Sequence, residues 1–208
     1  MWVVKLGGSL ASDGRLTRWL EALSRETVVL VPGGGPFADQ VRAAQTRWGL
    51  DDQTAHDMAI LGMRQYGRML MGLCPELQAY AFPTLSGRGE KPPAQGAAVW
   101  LPQPETLNGA GIPASWDITS DSLAAWFAKE MGALNLLLVK SAKPLDAPAE
   151  IACSSLIEQG FVDPAFRGHA LASSLQCWLC GPDDHTRLRL GLGNPADSFL
   201  RIRARGDG

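Results

Sequence analysis

Lys5, Asp121, Lys140 and Lys143, read with two glycine turns, are the residues in this 208-residue sequence whose types and spacing could do chemistry. The chain opens Trp2-Val3-Val4-Lys5-Leu6-Gly7-Gly8-Ser9, an apolar run carrying one lysine and closed by two glycines and a serine. This reads as a short buried strand ending in a tight turn. Glycines allow close backbone approach, and successive turn amides make a nest for anions. A lysine one step before such a nest suits a phosphate in transfer; the alternative is a surface lysine beside an ordinary turn. A second glycine turn, Pro32-Gly33-Gly34-Gly35-Pro36, follows the β-branched run 27–31. Asp121 falls in the first turn of a helix that Thr119 or Ser120 can cap, running to Met131, where a carboxylate also suits the helix dipole. Helix-start stabilisation would account for it equally well.

The elements that must position these residues alternate in type. Leu16, Trp19, Leu20 and Leu23 recur at helical spacing within 11–25. Residues 37–48 read as a helix with Phe37, Val41, Ala44 and Trp48 on one face, and 51–73 as a longer one capped by Asp51 or Asp52. His56, Asp57, Arg64 and Arg68 lie off its apolar stripe and read as solvated or subunit-facing surface, although a charged residue here could reach a ligand above the glycine turns. Strand, turn, helix, strand, turn, helix predicts an α/β fold, a three-layer sandwich with a mainly parallel central sheet. Both glycine turns then lie at the strand C-termini, the edge where ligands bind in open α/β sheets.

Further along, 83–96 reads as a mobile loop or hairpin tip between short strands, with Arg88 and Lys91 as its anion contacts. Residues 134–139 form a buried strand ending in the polar turn Lys140-Ser141-Ala142-Lys143-Pro144. Beyond it, 165–175 reads as a short helix, and 177–180, 187–192 and 198–203 as strands. No linker divides the chain, so one domain over 1–208 is expected.

Bulk properties narrow the class. A net charge of −2 argues against a nucleic-acid surface. No apolar run approaches the roughly 20 residues of a membrane helix, and no signal-peptide pattern opens the chain, so a cytoplasmic protein is expected. The four cysteines, including Cys177-Trp-Leu-Cys180, lack partners for a zinc site and read as buried thiols.

Lys5-Leu6-Gly7-Gly8-Ser9, Val31-Pro32-Gly33-Gly34-Gly35-Pro36 and Asp117-Ile-Thr-Ser-Asp121-Ser-Leu-Ala124, in this order, together resemble the amino acid kinase superfamily over about the first 145 residues. That superfamily includes acetylglutamate, carbamate, uridylate, aspartate and isopentenyl phosphate kinases. The resemblance implies ATP as phosphoryl donor with Mg²⁺ held mostly by phosphate oxygens, and a homodimer formed through N-terminal helices. It implies that Lys5 stabilises the transferring phosphoryl group and that Gly7, Gly8 and Ser9 hold ATP phosphates. Gly33, Gly34 and Gly35 would face the acceptor, and Asp121 would orient the lysines. An acceptor-binding part over about 1–115 and a nucleotide-binding part over about 116–208 follow from it. The run Ala55-His56-Asp57-Met58-Ala59-Ile60-Leu61-Gly62-Met63 also resembles a smaller group, the kinases of methanofuran biosynthesis and their methylotroph relatives, which phosphorylate an amine-bearing phosphate monoester to a diphosphate.

Three departures from the family pattern carry information. Where acetylglutamate kinases have an acceptor-facing asparagine, this chain has Asp117, which would repel a carboxylate acceptor and attract an amine; it could instead cap the coming helix or bind an arginine. The family's acidic nucleotide-side turn is replaced by Lys140–Pro144, and no lysine follows Lys143 to match the family's second catalytic lysine. Lys140 or Lys143 would then supply the cation at the ATP phosphates. The alternatives are a kinase of a carboxylate or nucleotide acceptor, and a binding protein on the same scaffold that has lost ATP chemistry.

Overall fold

The computed structural model describes residues 1–12, 14–81, 94–144, 149–170 and 174–203. The strands are β1 (Trp2–Leu6), β2 (Val28–Pro32), β3 (Gln78–Tyr80), β4 (Ala97–Trp100), β5 (Asn135–Val139), β6 (Glu150–Ala152), β7 (Gln176–Cys180) and β8 (Leu200–Arg203). They form one eight-stranded sheet in the order β3-β4-β2-β1-β5-β7-β8-β6. Every pairing is parallel except β7 with β8. The helices are α1 (Arg15–Ser24), α2 (Gly35–Trp48), α3 (Asp52–Leu73), α4 (Pro104–Gly109), α5 (Ser120–Glu130), α6 (Cys153–Glu158), α7 (Phe166–Ala170) and α8 (Leu188–Gly193).

The period of two along a strand sends alternate side chains to opposite faces, and the two cores follow that rule. Val3, Val29, Val31, Leu136 and Leu138 pack on one face with Leu123, Ala124 and Phe127 of α5. Val4, Leu6, Leu30, Leu137 and Val139 pack on the other with Trp19 and Leu20 of α1. The long helix α3 serves both: Ile60 and Met63 join the first core, Tyr66 and Leu70 the second. The expected layers of helix, parallel sheet and helix are therefore present.

Central β1 is flanked in parallel by β2 and β5, with Lys5 opposite Val31 and Leu138. Beyond β1 lie β2, β4 and β3 on one side and β5, β7, β8 and β6 on the other. The C-terminal end of β1 is thus a switch point, where connections leave in opposite directions and open a crevice.

Several local expectations are corrected. β3 and β4 pair in parallel, so they are not the arms of a hairpin; Arg88 and Lys91 lie outside the described residues. Residues 187–192 are not a strand: a 3-10 turn over Asp184–Arg187 leads into α8. There Leu188 faces the core while Leu190 is exposed. A short apolar run fits either period, and the helical one wins here. Residues 11–25 split into a 3-10 turn over Gly8–Ser12 and α1. All four cysteines are buried free thiols.

Candidate active site

Strand parity and a helix start bring the central charges together. Lys5 shares a face with Val3, the face covered by α5, and the first turn of α5 carries Asp121. Lys5 Nζ lies 2.8 Å from Asp121 Oδ1, in ion-pair contact but off hydrogen-bond direction. Lys140, immediately after β5, donates from Nζ to Asp121 Oδ2 at 2.5 Å. Its backbone N–H donates to Cys180 O, continuing the ladder to β7. One buried carboxylate therefore stands between two lysines from neighbouring strand ends.

Burial and charge oppose each other within this trio. Burial alone would raise the Asp121 carboxyl, but Lys5 and Lys140 outweigh it, and the net direction is down. Lys140 is pushed down to about 8, first by burial and then by the Lys5 charge, against the pull of Asp121. Two ammonium groups on one carboxylate leave a net positive centre, as an incoming phosphate requires.

The start of α5 is held from elsewhere in the chain. Thr119 occupies the cap position but makes no side-chain cap bond. Instead, Asp163 Oδ2 accepts from Thr119 N at 2.9 Å, Thr119 Oγ1 at 2.7 Å and Ser122 N at 3.1 Å. Asp163 Oδ1 accepts from Ser122 Oγ. A carboxylate 41 residues away from Ser122 thus caps the helix that presents Asp121.

The two glycine turns interlock beside these charges. A Cβ on Gly33 would lie 2.4 Å from Gly8 N, and one on Gly8 would lie 2.3 Å from Gly35 N, so neither residue can carry a side chain. The sheet divides the turn amides between two tasks. Gly7 N donates to Val139 O and Gly33 N to Leu6 O, extending the ladders. Gly8 and Ser9 begin a 3-10 turn, and Gly34 and Gly35 begin α2. First-turn amides have no intrahelical acceptor, so these two adjoining helix starts leave N–H groups available to an anion. Lys5 Nζ lies alongside, 3.7 Å from where a Gly7 Cβ would be.

Gly8, Ser9, Gly34 and Gly35 line a cavity of about 320 Å³. Ser120, the neighbour of Asp121, forms part of its wall, with Ala38, Ile60, Met63 and Leu123 as apolar lining. Its polar lining includes Asp39 and Arg42 of α2, and Asp52 and His56 of α3. The Arg42 guanidinium stacks 3.8 Å from the centre of the Trp116 ring. Trp116 Nε1 donates to Gln45 Oε1 at 2.6 Å, and Gln45 Nε2 donates to Asp52 Oδ1 at 2.9 Å. This relay ties the 115–119 turn to both helices.

The candidate residues divide accordingly. Lys5, Asp121 and Lys140 meet, with Gly8, Ser9, Gly34 and Gly35 alongside. Gly7 and Gly33 are structural partners of the turns. Lys143 is not brought to Asp121: its Nζ pairs with Asp184 Oδ2 at 2.5 Å, and its stem lies against Gly181. Asp117 is exposed and does not line the cavity, although Ser115, Trp116, Ile118 and Thr119 do. Its backbone is fixed by N–H donation to Ser115 Oγ and by accepting from Ala165 N. His56, expected at a solvated or subunit-facing surface or within reach of a ligand, is 8% exposed and lines the cavity. Asp39, Arg42 and Asp163 carried no sequence signal, each being an ordinary polar residue on a helix or in a loop, and Asp52 carried only that of a candidate helix cap.

Among the described residues, no group of three or more His, Cys, Asp or Glu side chains could hold a metal ion. The amide nest and paired lysines fit triphosphate oxygens. They fit Mg²⁺ only as an ion carried on those oxygens, which is its ordinary mode with ATP.

Comparison with known proteins agrees with this geometry. The model of the amino acid kinase family matches residues 1–145. A [5-(aminomethyl)furan-3-yl]methyl phosphate kinase of Methanocaldococcus jannaschii is 31% identical over 133 residues, covering 62% of this chain and 60% of that protein. The match thus spans under two thirds of that relative. The UMP kinase of Ureaplasma parvum superposes with a TM-score of 0.67 at 13% identity, covering 97% of each chain. Uridylate kinase of Archaeoglobus fulgidus also gives 0.67, at 15% identity, over 97% of this chain and 99% of that one. At such identities the two structures speak for the fold alone. With the family's sequence pattern on the strand ends and helix start that build this site, the chain belongs to the amino acid kinase family.

Proposed function

We propose that this protein is an ATP-dependent phosphotransferase acting on a small amine-bearing phosphate monoester to give a diphosphate, as in methanofuran-type cofactor synthesis. The observation that carries the reading is Asp121 between Lys5 and Lys140, beside two neighbouring helix starts that line a cavity. An oxygen of the acceptor phosphate forms a bond to the γ-phosphorus of ATP. The bond from that phosphorus to the bridging oxygen breaks, and ADP leaves. Such a reaction asks mainly for positioning and charge neutralisation. Gly8, Ser9, Gly34 and Gly35 amides hold phosphate oxygens, and Lys5 and Lys140 neutralise charge on the moving group. Asp121 keeps both ammonium groups on the reaction axis. Mg²⁺, bound with ATP, would supply further neutralisation. The acceptor occupies the cavity on the α2–α3 side and the nucleotide the β5–β8 side.

The relative's printed substrate supports the acceptor class. A protein acting in the cytoplasm fits the lack of any described helix long and apolar enough to cross a membrane. The reading includes a homodimer through α2 and α3, where Trp48 and Leu61 are exposed; sedimentation analysis tests it.

The test is ADP release with Mg²⁺ and ATP in the presence of [5-(aminomethyl)furan-3-yl]methyl phosphate, N-acetylglutamate or UMP, with products identified by mass spectrometry. A diphosphate from the first alone supports the reading. Turnover of either other acceptor in preference reassigns the substrate. No ATP binding by calorimetry makes the chain a non-catalytic member of its family.

A further inference from the structure

The α3 wall of the cavity contains a side chain with an unpaired buried polar atom. His56 is 8% exposed and lines the cavity, and its Nε2 has no hydrogen-bond partner among the described residues. A buried unmade hydrogen bond is costly, and it persists where a ligand completes it. Asp52 lies one helical turn before His56 on α3, so the two side chains share a face. Asp39 lines the same cavity from α2, which packs against α3. Gln45 holds Asp52 Oδ1, leaving its other oxygen for a ligand.

Resting on the phosphotransferase reading, we infer that His56, Asp52 and Asp39 form the site that recognises the acceptor's ammonium group. An alkylammonium carries three donors and no acceptor. Two carboxylates and one neutral imidazole nitrogen offer it three acceptors. Burial lowers the His56 pKa, more than the nearby Asp57 raises it, which favours the neutral imidazole; the tautomer with its proton on Nδ1 leaves Nε2 as an acceptor. The cavity's apolar lining, Ala38, Ile60 and Met63 among it, fits a short uncharged body joining amine to phosphate. Arg42, stacked on Trp116, stands nearby as the cavity's cation. The substrate class that follows is a zwitterionic phosphate monoester, with the ammonium group opposite the phosphate. An alkyl phosphate without a polar tail leaves Nε2 unpaired and is rejected for that reason.

Calorimetric binding separates this inference from the catalytic reading. The probes are [5-(aminomethyl)furan-3-yl]methyl phosphate and the same molecule with methyl in place of aminomethyl, against the full chain and its His56→Phe, His56→Gln and Asp52→Asn variants. Wild type is expected to bind the amine at least about 10-fold more tightly, and His56→Phe and Asp52→Asn each to erode that preference about 10-fold. His56→Gln, which keeps a hydrogen-bonding atom, is expected to retain part of it, and it carries the test if His56→Phe does not fold. Equal binding of both probes by wild type overturns the inference. A preference untouched in the Asp52 and foldable His56 variants overturns the assignment to these residues. ADP release, assayed separately, decides the phosphotransferase reading in either case.

Discussion

Lys140 Nζ lies 2.5 Å from Asp121 Oδ2, across 19 residues of sequence, and so joins Lys5 at the same buried carboxylate. Asp121 is the one acid between it and Lys5. Asp121→Asn leaves two buried ammonium groups facing each other. We expect about 3–5 kcal/mol of lost stability, the usual result of removing one partner of a buried charge set. Denaturant unfolding measures it, and the double variant Lys5→Met with Asp121→Asn should recover part of the loss.

Lys5→Met removes a cation next to the amide nest while leaving Asp121 paired with Lys140. Turnover should fall at least about 10²–10³-fold, the scale of one transition-state donor. Near-normal steady-state turnover would exclude Lys5 from the chemistry.

Lys140, pushed down to about 8, should give the activity an alkaline limb. Above that pH it loses its proton and with it the charge proposed to meet phosphate, so kcat/KM for ATP should fall. Lys140→Arg, charged throughout, should move the limb away. Stability runs the other way. Between about 8 and the ordinary lysine value of 10.5, the unfolded chain holds a proton that the folded chain has released. This group's contribution to folding therefore rises with pH while activity declines. A pH–rate profile and unfolding curves at pH 7 to 10 check both signs.

Asp163 acts through the helix it caps. Asp163→Ala should cost about 1–3 kcal/mol, from lost caps and bonds to a charged acceptor. It should also lower kcat by loosening the Asp121 position. Asp163→Asn, which keeps an acceptor oxygen, should fall between wild type and alanine in both thermal unfolding and turnover.

Gly33→Ala should disrupt the interlocked turns, because its Cβ would lie 2.4 Å from Gly8 N. Gly14→Ala meets nothing within 4 Å, at a helical φ of −58°. It should be neutral or stabilise by about 0.4–1 kcal/mol through the unfolded chain. Thermal unfolding of the pair separates packing from general glycine replacement.

Asp117→Asn tests an acceptor role that the exposed position does not favour. The acceptor KM should stay within about 2-fold of wild type, since exposed carboxylates contribute little. A large rise in KM would restore Asp117 to the site.

The sequence alone determined the alternating strand, turn and helix order of the N-terminal half, because strand and helix periods and glycine turns are local signals; it misassigned the short apolar run 187–192, which fits either period. It placed Lys5 on a buried strand, both glycine turns at strand ends and Asp121 at a helix start. These depend on neighbours within a few residues. What only the tertiary structure decided are the pairings across long separations. Lys140, rather than Lys143, reaches Asp121, because the turn after β5 sends Lys143 to Asp184 on the β7 side. Asp163 caps α5 from another loop, and His56 turns inward because α2 packs over α3. Gly7 and Gly8 are adjacent in sequence, yet one serves the sheet and the other the cavity. The physical reason is common to all: burial and partner choice arise when distant segments pack, and no local period encodes which charge will find which.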